Sequence, residues 1–427
     1  MTQSAKLSRR EFVGSMGFIS FAILGNGSIL LAQGEANAQE PGLLSANAWV
    51  KISANNEITI RFAATEMGQG VMTSLPMILA EELDADWSKV LVEQVNQDQD
   101  KTYGNPLFGG NLFTAGSESI EGYFNIMRRA GAGARRILIY TAATAWNVPV
   151  SEVSSEPSVI LHKASGRRMS YGQIAALSKI VSDVPAITDT DLKPRSTYRL
   201  IGTDPGRRDI PGKTRGETVY SIDVRVPGMV YAAQLHAPVE GETPAKVSDR
   251  EARAVQGVID IVPLRNSIAV VANRWEVAKY ARDLLKVEWT TTSSFRSANS
   301  ATDLAAAVTA ANEPGRPATA WSTRGNVVTG LSGTGRRVVE ATYTTDYVYH
   351  AQMEPLAAVA SVDADGKGAE VWLGTQSQTL SIAAAAQTLQ TTPDRIRFHA
   401  MQMGGGFGRR TFFGRDLLSD ALILSRQ

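Results

Sequence analysis

An α+β fold is what this 427-residue chain predicts, from three observations: short runs in which apolar and polar residues alternate, a few longer runs with apolar residues at helical spacing, and a proline-rich stretch separating two such groups. The hydrophobic fraction of 43% is that of an ordinary folded protein, and the length allows two or three domains.

Taken in order, Lys6, Arg9 and Arg10 precede an uncharged, largely apolar run from Phe12 to Gly34, and Ala36-Asn37-Ala38 offers a small-x-small cleavage site before Gln39. Residues 1–38 therefore read as an export signal. Ser8-Arg9-Arg10-Glu11-Phe12-Val13 has the twin-arginine pattern, and Gly14, Gly17, Gly25 and Gly27 keep the run only moderately hydrophobic. The expected location is the periplasm, with no stable membrane span after cleavage; a retained anchor is the alternative, since the run is long enough to span a bilayer. The twin-arginine route carries proteins already folded, which suits a cofactor inserted before export.

From Ala48 to Ala63 the alternation predicts two strands joined at Asn55-Asn56, a β-hairpin. Thr73 to Leu83 places Leu75, Ile78, Leu79 and Leu83 on one helical face, with Glu81, Glu82 and Asp84 expected outside. Val90 to Val95 alternates as a strand. Ser117 to Trp146 predicts a long helix whose middle, Ala130-Gly131-Ala132-Gly133-Ala134, should pack closely against another backbone, and Asn147-Val148-Pro149 ends it. Ser151 to Lys179 reads as a strand pair followed by a helix at Tyr171 to Leu177. Pro185, Pro194, Pro205 and Pro211 mark Ser182 to Pro211 as a surface linker and a domain boundary.

Strands then dominate, at Tyr220 to Val226, Val230 to His236, Gly257 to Val262, Ser267 to Ala272 and Val287 to Thr290, with a helix at Arg274 to Leu285. Asn299 to Gly335 suggests a helix and a loop, Arg337 to Tyr347 a further strand. No internal repeat of solenoid period is visible. A helix pattern begins near Asp416 and reaches Gln427 without a cap, as expected of a truncated product or a split gene.

Net charge is +1, without basic blocks or aromatic-basic alternation, so nucleic acid is not an expected partner. Cysteine is absent, which removes disulfides, thiolate metal ligands, iron–sulfur ligation and a cysteine nucleophile. A hydrolase lacks support: the chain has only His162, His236, His350 and His399, and no Gly-x-Ser-x-Gly elbow.

The chemistry-bearing pattern lies in four segments. Met403-Gly404-Gly405-Gly406-Phe407-Gly408-Arg409-Arg410 follows a predicted strand; its glycines let an anionic group approach peptide N–H donors, and the arginines add charge. A plain glycine-rich turn and a dinucleotide fingerprint are the alternatives, but the third glycine of G-x-G-x-x-G is misplaced. Gly374-Thr375-Gln376 lies about thirty residues earlier. Glu66-Met67-Gly68-Gln69-Gly70 and Phe113-Thr114-Ala115-Gly116-Ser117-Glu118-Ser119 directly precede predicted helices, whose N-termini attract anions. One extended phosphorylated ligand touching all four is the expectation.

Together these segments resemble the molybdopterin-binding subunits of the xanthine oxidase and aldehyde oxidase family, especially the large subunits of the isoquinoline 1-oxidoreductase type, which carry Met-Gly-Gln-Gly near the N-terminus. The likeness extends to Asp209-Ile210-Pro211-Gly212-Lys213-Thr214-Arg215-Gly216, similar to the opening of that family's hammerhead domain, and to Tyr349-His350-Ala351-Gln352-Met353-Glu354-Pro355. The resemblance implies molybdopterin-binding segments flanking an α/β hammerhead domain: 39–180, a linker at 181–210, the hammerhead at 211–298, and a second segment at 299–427. It implies cofactor contacts from Gln69, Gly70, Gly116, Ser117, Gln376, Gly405, Gly406, Phe407, Gly408 and Arg409, with Gln376 beside the molybdenum and Phe407 behind it. The metal would be held by the cofactor, in its cytosine dinucleotide form, with no protein ligand. His350 and Glu354 read as structural rather than as a metal pair, given Pro355. Glu66 and Glu118 suggest only a solvated face or a helix N-terminal charge.

The implied activity is oxidation of an N-heterocycle or an aldehyde with water as oxygen source, using a glutamate base expected beyond Gln427, so this chain alone should be inactive. Implied partners are a small 2Fe–2S subunit and an electron acceptor such as a cytochrome. An exported, non-catalytic cofactor-binding or assembly protein keeping the fold is the alternative.

Overall fold

The computed structural model describes residues 17–23, 29–35, 49–96, 103–181, 183–317, 319–320, 322–411 and 414–427. It divides into two compact units, residues 1–224 with 352–427, and residues 225–351. These boundaries differ from the expected 211 and 298: residues 211–224 belong to the first unit and 299–351 to the second.

In the first unit, β1 (Gly17–Ile23) and β2 (Ile29–Glu35) pair antiparallel, and β1 pairs antiparallel with β3 (Val50–Ser53), with Phe21 opposite Val50. The export-signal reading falls here; its arginines and its cleavage site lie outside the described residues. β3 and β4 (Ile58–Phe62) form the expected hairpin, turned at Asn56 with φ 70°, a left-handed conformation asparagine tolerates. Helix α1 (Val71–Leu83) then crosses to β5 (Val90–Gln94), which is parallel to β4. Helix α2 (Ser119–Trp146) ends on left-handed Asn147 and packs on α1. Gly131 makes that close approach possible, since a Cβ there would lie 2.3 Å from the Leu79 carbonyl oxygen. Strands β6 (Val153–Glu156), β7 (Val159–His162) and β8 (Arg167–Ser170) form a small antiparallel sheet leading into α3 (Tyr171–Ala175), which starts with a Ser170/Gln173 capping box.

Residues 183–209 are not a free linker. They form a strap fixed to α1 by carboxylates that the helical pattern had placed outside. Glu81 is buried and accepts from the N–H groups of Arg199 (2.8 Å), Leu200 and Ile201 (3.1 Å), while Glu82 is buried against Arg128 (2.7 Å). Burial alone would raise the Glu81 pKa; the three backbone donors and Lys193 outweigh it and hold the group below its ordinary value. Asp84 is ion-paired with Lys193 and Arg135. After the strap comes α4 (Ile210–Thr214), and the expected strand at 220–226 contains instead a 3₁₀ turn, Ser221–Asp223.

The second unit holds the antiparallel sheet of β9 (Tyr231–His236), β11 (Val258–Pro263) and β12 (Ser267–Ala272), with β12 central, and a pair formed by β10 (Pro244–Ser248) and β13 (Lys286–Trp289). With α5 (Arg250–Arg253) and α6 (Trp275–Asp283), it closes a core of Ala252, Ile261, Ile268, Val270, Ala281 and Leu285. Helices α7 (Ser300–Ala311) and α8 (Val327–Leu331) follow and bury no residue. The strand expected at 337–347 is absent as a strand: the segment is assigned no regular structure.

Returning to the first unit, β14 (Ala358–Val362) pairs antiparallel with β15 (Ala369–Leu373), α9 (Gln378–Leu389) crosses over, and β16 (Ile396–Ala400) runs parallel to β15. Helix α10 (Gly414–Arg426) adds Leu418 and Leu422 to the core made with Val371, Leu373, Ile382 and Phe398. The ββαβ succession of β3-β4-α1-β5 is thus repeated by β14-β15-α9-β16, in the same strand order. Among the described residues no helix is long and apolar enough to cross a membrane.

Candidate functional site

Three of the four glycine-bearing segments leave the carboxyl ends of strands that pair in parallel: 63–70 after β4, 374–377 after β15 and 401–411 after β16. In open sheets with helical crossovers, those ends are where ligands are held. The segments are joined directly. The Met403 N–H donates to the Glu66 carbonyl at 3.1 Å, and the N–H of Gln376 to the Arg410 carbonyl at 3.1 Å. A Cβ on Gly406 would lie 2.4 Å from Met67 Sδ and 2.8 Å from Gln376 Oε1, so this glycine is the point where all three meet.

The fourth segment reaches the same place through Thr114. Its N–H donates to the Gln376 carbonyl at 2.7 Å, its hydroxyl accepts from the Thr65 N–H at 3.0 Å, and its carbonyl accepts from Gln376 Nε2 at 2.9 Å. Gly116 and Ser117 lie on the same loop, exposed and in left-handed backbone (φ 60° and 59°). Among the described residues no hydrogen bond ties either to the other segments. Ser117 stands two residues before α2, whose N-terminus has no side-chain cap.

The glycine-rich loop is pinned at both ends and open in the middle. The Gly404 N–H donates to Glu354 Oε2 (2.9 Å), and the Gly408 N–H to Gln376 Oε1 (2.9 Å). Gln352 Nε2 reaches the Gly406 carbonyl at 3.4 Å, and the Arg409 N–H donates to the same oxygen at 3.0 Å. Between the pins, the N–H groups of Gly405, Gly406 and Phe407 find no acceptor among the described residues. Gly405 (φ 110°) and Gly408 (φ 85°) need glycine for their backbone, whereas Gly404 and Gly406 need it for space. Phe407 has φ 52° and an exposed ring (65%). Successive N–H groups through such a turn form an anion-binding concavity, so the donor set fits an oxyanion such as a phosphate or an oxo group.

Several site expectations change. Arg410 is not a charge offered to a ligand: it is buried, paired with Glu354 at 2.9 Å, and burial pulls its pKa down while Glu354 pushes back. Glu354 is held by Arg410 on one side and by the Gly404 N–H on the other; no group of three or more His, Asp or Glu suited to a metal occurs among the described residues. The Gln69 amide closes its own turn, accepting from the Met67 N–H (2.7 Å) and donating to the Thr65 carbonyl (2.8 Å). Gln376 is buried with both ends of its amide spent on Thr114 and Gly408. In this geometry both glutamines shape the site rather than face a ligand.

The helix N-terminus after Gly70 is filled from within. Glu66 is fully buried, not on a solvated face. Its carboxylate accepts from the N–H groups of Gly68 (2.8 Å), Gly70 (3.2 Å) and Met72 (2.9 Å), so the α1 dipole already has its anion. Arg207 lies 3.6 Å from Glu66 and donates to the Gly68 carbonyl at 3.0 Å. Arg207 and Lys213 both pair with Asp209, at 2.6 and 2.7 Å. Burial would raise the Asp209 pKa, but these two cations win and hold it at about 2. Sequence reasoning missed Thr114, Arg207 and Asp209 as site-builders; nothing local distinguishes a threonine or an ion pair that supports a distant loop. A Ser–His–Glu contact does exist, with His162 between Ser165 (2.7 Å) and Glu152 (2.8 Å), but Arg167 donates to the same hydroxyl at 2.7 Å, making a local clip across the β7–β8 hairpin.

Fold and site together define an α+β protein whose paired ββαβ modules present a glycine-lined row of open N–H donors. Molybdopterin cofactor-binding domains match residues 13–222 and 310–419. The chain belongs to the molybdopterin-binding large subunits of the xanthine oxidase family. It is 36% identical to the beta chain of isoquinoline 1-oxidoreductase from Brevundimonas diminuta, over 96% of this chain and 56% of that protein. It is 29% identical to a membrane-bound pyrroloquinoline-quinone aldehyde dehydrogenase of Gluconacetobacter polyoxogenes (96% and 53% covered) and 29% identical to one of the subunits of nicotinate dehydrogenase from Pseudomonas putida (84% and 29%). The chain spans about half the length of the first two relatives.

Proposed function

We propose that this chain is the cofactor-holding part of a molybdenum hydroxylase that oxidises an N-heterocycle or an aldehyde. The observation that carries the proposal is the row of open N–H groups at Gly405, Gly406 and Phe407, set where both ββαβ modules meet. Gly405, Gly406 and Phe407 hold an oxyanion of the pterin cofactor by backbone donation, with Gly408 closing the loop, Arg409 beside it and Gly116 and Ser117 approaching from the α2 side. Gln376 fixes the loop through Gly408, and Gln69 holds the turn that lays Met67 against Gly406. When bound, molybdopterin supplies the redox-active metal through its own dithiolene, so the protein's tasks are binding, orientation and exclusion of water. The cytosine dinucleotide form suits a ligand long enough to extend from the cradle to the α2 N-terminus.

Because the chain contains no cysteine, electrons leave through iron–sulfur clusters on a separate small subunit, and an acceptor such as a cytochrome receives them. The glutamate base belongs to the part of the family subunit this chain does not span. Export as a folded holoprotein by the twin-arginine route places the enzyme in the periplasm. Metal analysis with nucleotide release on heating tests the reading: molybdenum with a cytidine nucleotide is expected, and a protein purified from molybdate-supplied cells with neither is the non-catalytic exported protein instead. Replacing Arg9 and Arg10 by lysine should trap the precursor in the cytoplasm; unchanged export overturns the twin-arginine route.

A further inference from the structure

The segment 337–348 has the full pattern of a half-buried strand and no sheet to lie in. Val339, Ala341, Tyr343, Thr345 and Tyr347 fall on one face, and Glu340, Thr342, Thr344 and Asp346 on the other, flanked at its two ends by Val338 and Val348. In water the apolar face is bare: Val339 is 78%, Tyr343 90% and Tyr347 79% exposed. No backbone N–H or carbonyl from Arg337 to Val348 takes part in a hydrogen bond among the described residues. Helices α7 and α8, just before it, also bury nothing. Such composition is selected for a pleated surface covered on one side, and an open edge of this kind pairs with whatever sheet is offered.

We infer that residues 337–348 add as a strand to the edge of a β-sheet belonging to the part of the family subunit this chain does not span, with Tyr343 and Tyr347 entering its core. The occupant follows from length: the relatives are close to twice as long as the stretch this chain matches, and the family domain found at 310–419 includes the bare segment. Twelve extended residues reach about 40 Å, enough to span a whole sheet edge and to satisfy its backbone groups. The inference rests on family membership and needs no cofactor, so it fails or stands separately from the molybdenum reading.

The probe is the stretch of the Brevundimonas diminuta relative outside the matched region, first qualified by its assembly with the other half of its own chain. Mixed with the present full chain, it should form a complex in which amide exchange at 338–348 slows by about tenfold or more. Tyr343→Asp, Tyr347→Asp and Thr344→Pro should abolish the complex, and Thr342→Lys, on the polar face, should not. Since the segment is bare in the free chain, all four should keep the parent melting temperature. The inference is overturned if the qualified fragment does not bind, if it binds while 338–348 still exchange at free-chain rates, or if the chain alone dimerises with those amides protected, which would make a second copy the occupant.

Discussion

The two ββαβ modules of the first unit share strand order and crossover yet finish their helices differently. In the N-terminal module the turn after β4 bends back so that Glu66 places a buried carboxylate on three N–H groups at the start of α1. In the C-terminal module the turn after β15 is neutral: Ser377 caps α9 through the Leu380 N–H at 3.2 Å, and the Thr375 hydroxyl lies 3.0 Å from Ser381 Oγ. One module therefore spends its helix dipole on the protein's own anion, and the other spends none of its charge. The same topology thus provides a turn closed on its own carboxylate in one module and, through the loop after β16, open N–H donors in the other.

Removing the carboxylate should have the largest effect. Glu66→Ala leaves the N–H groups of Gly68, Gly70 and Met72 without their acceptor and takes a buried carboxylate from beside Arg207, and should cost about 3–5 kcal/mol, read by urea denaturation. The matching change in the other module, Ser377→Ala, should cost about 1 kcal/mol, as for an ordinary N-cap. Equal losses would show that the charge difference between the modules is unimportant. Gly406→Val, which must push Met67 and Gln376 apart, should destabilise by about 3 kcal/mol and abolish molybdenum retention. By contrast, Gly408→Ala meets open space and strains only the backbone, for about 1 kcal/mol.

The charged support of the N-terminal module should also show in acid. Asp209 has its pKa lowered from 3.8 to about 2, so its contribution is complete above the unfolded pKa and is lost as pH falls through the folded one. Between about pH 4 and pH 2 the protein should lose about 2 kcal/mol that Asp209→Asn never had. Identical acid profiles for the two proteins would remove that assignment. The smallest change in stability is expected for Phe407→Ala, within about 0.5 kcal/mol because the ring is exposed; a fall in bound molybdenum would then report on the site alone.

Local periodicity was enough to find the β3–β4 hairpin, α1, α2, β5, β16 and α10, because each buries one face against its neighbours and the pattern records that face. Ala130 to Ala134 also announced a close approach to another backbone, which the structure shows to be that of α1, since residues without bulky side chains let two backbones meet. The same reasoning failed for Glu81, Glu82 and Asp84. A helical wheel assigns charged residues to solvent and cannot foresee a strap whose backbone N–H groups need acceptors. Of the two readings of Glu66, the structure has the helix N-terminal charge and not the solvated face; at 337–347 the alternating pattern is real but no strand forms among the described residues. Of the glycines singled out after β16, two serve backbone conformation and two serve packing on Met67, Gln376 and Glu354.

By itself the sequence determined many of the elements and the family, because periodicity and short motifs are properties of neighbouring residues. Only the tertiary structure decided which donors stay open. Whether an amide such as Gln376 or a helix end such as that of α1 is available depends on what residues more than two hundred positions away, or a carboxylate one turn back, have already bonded to it.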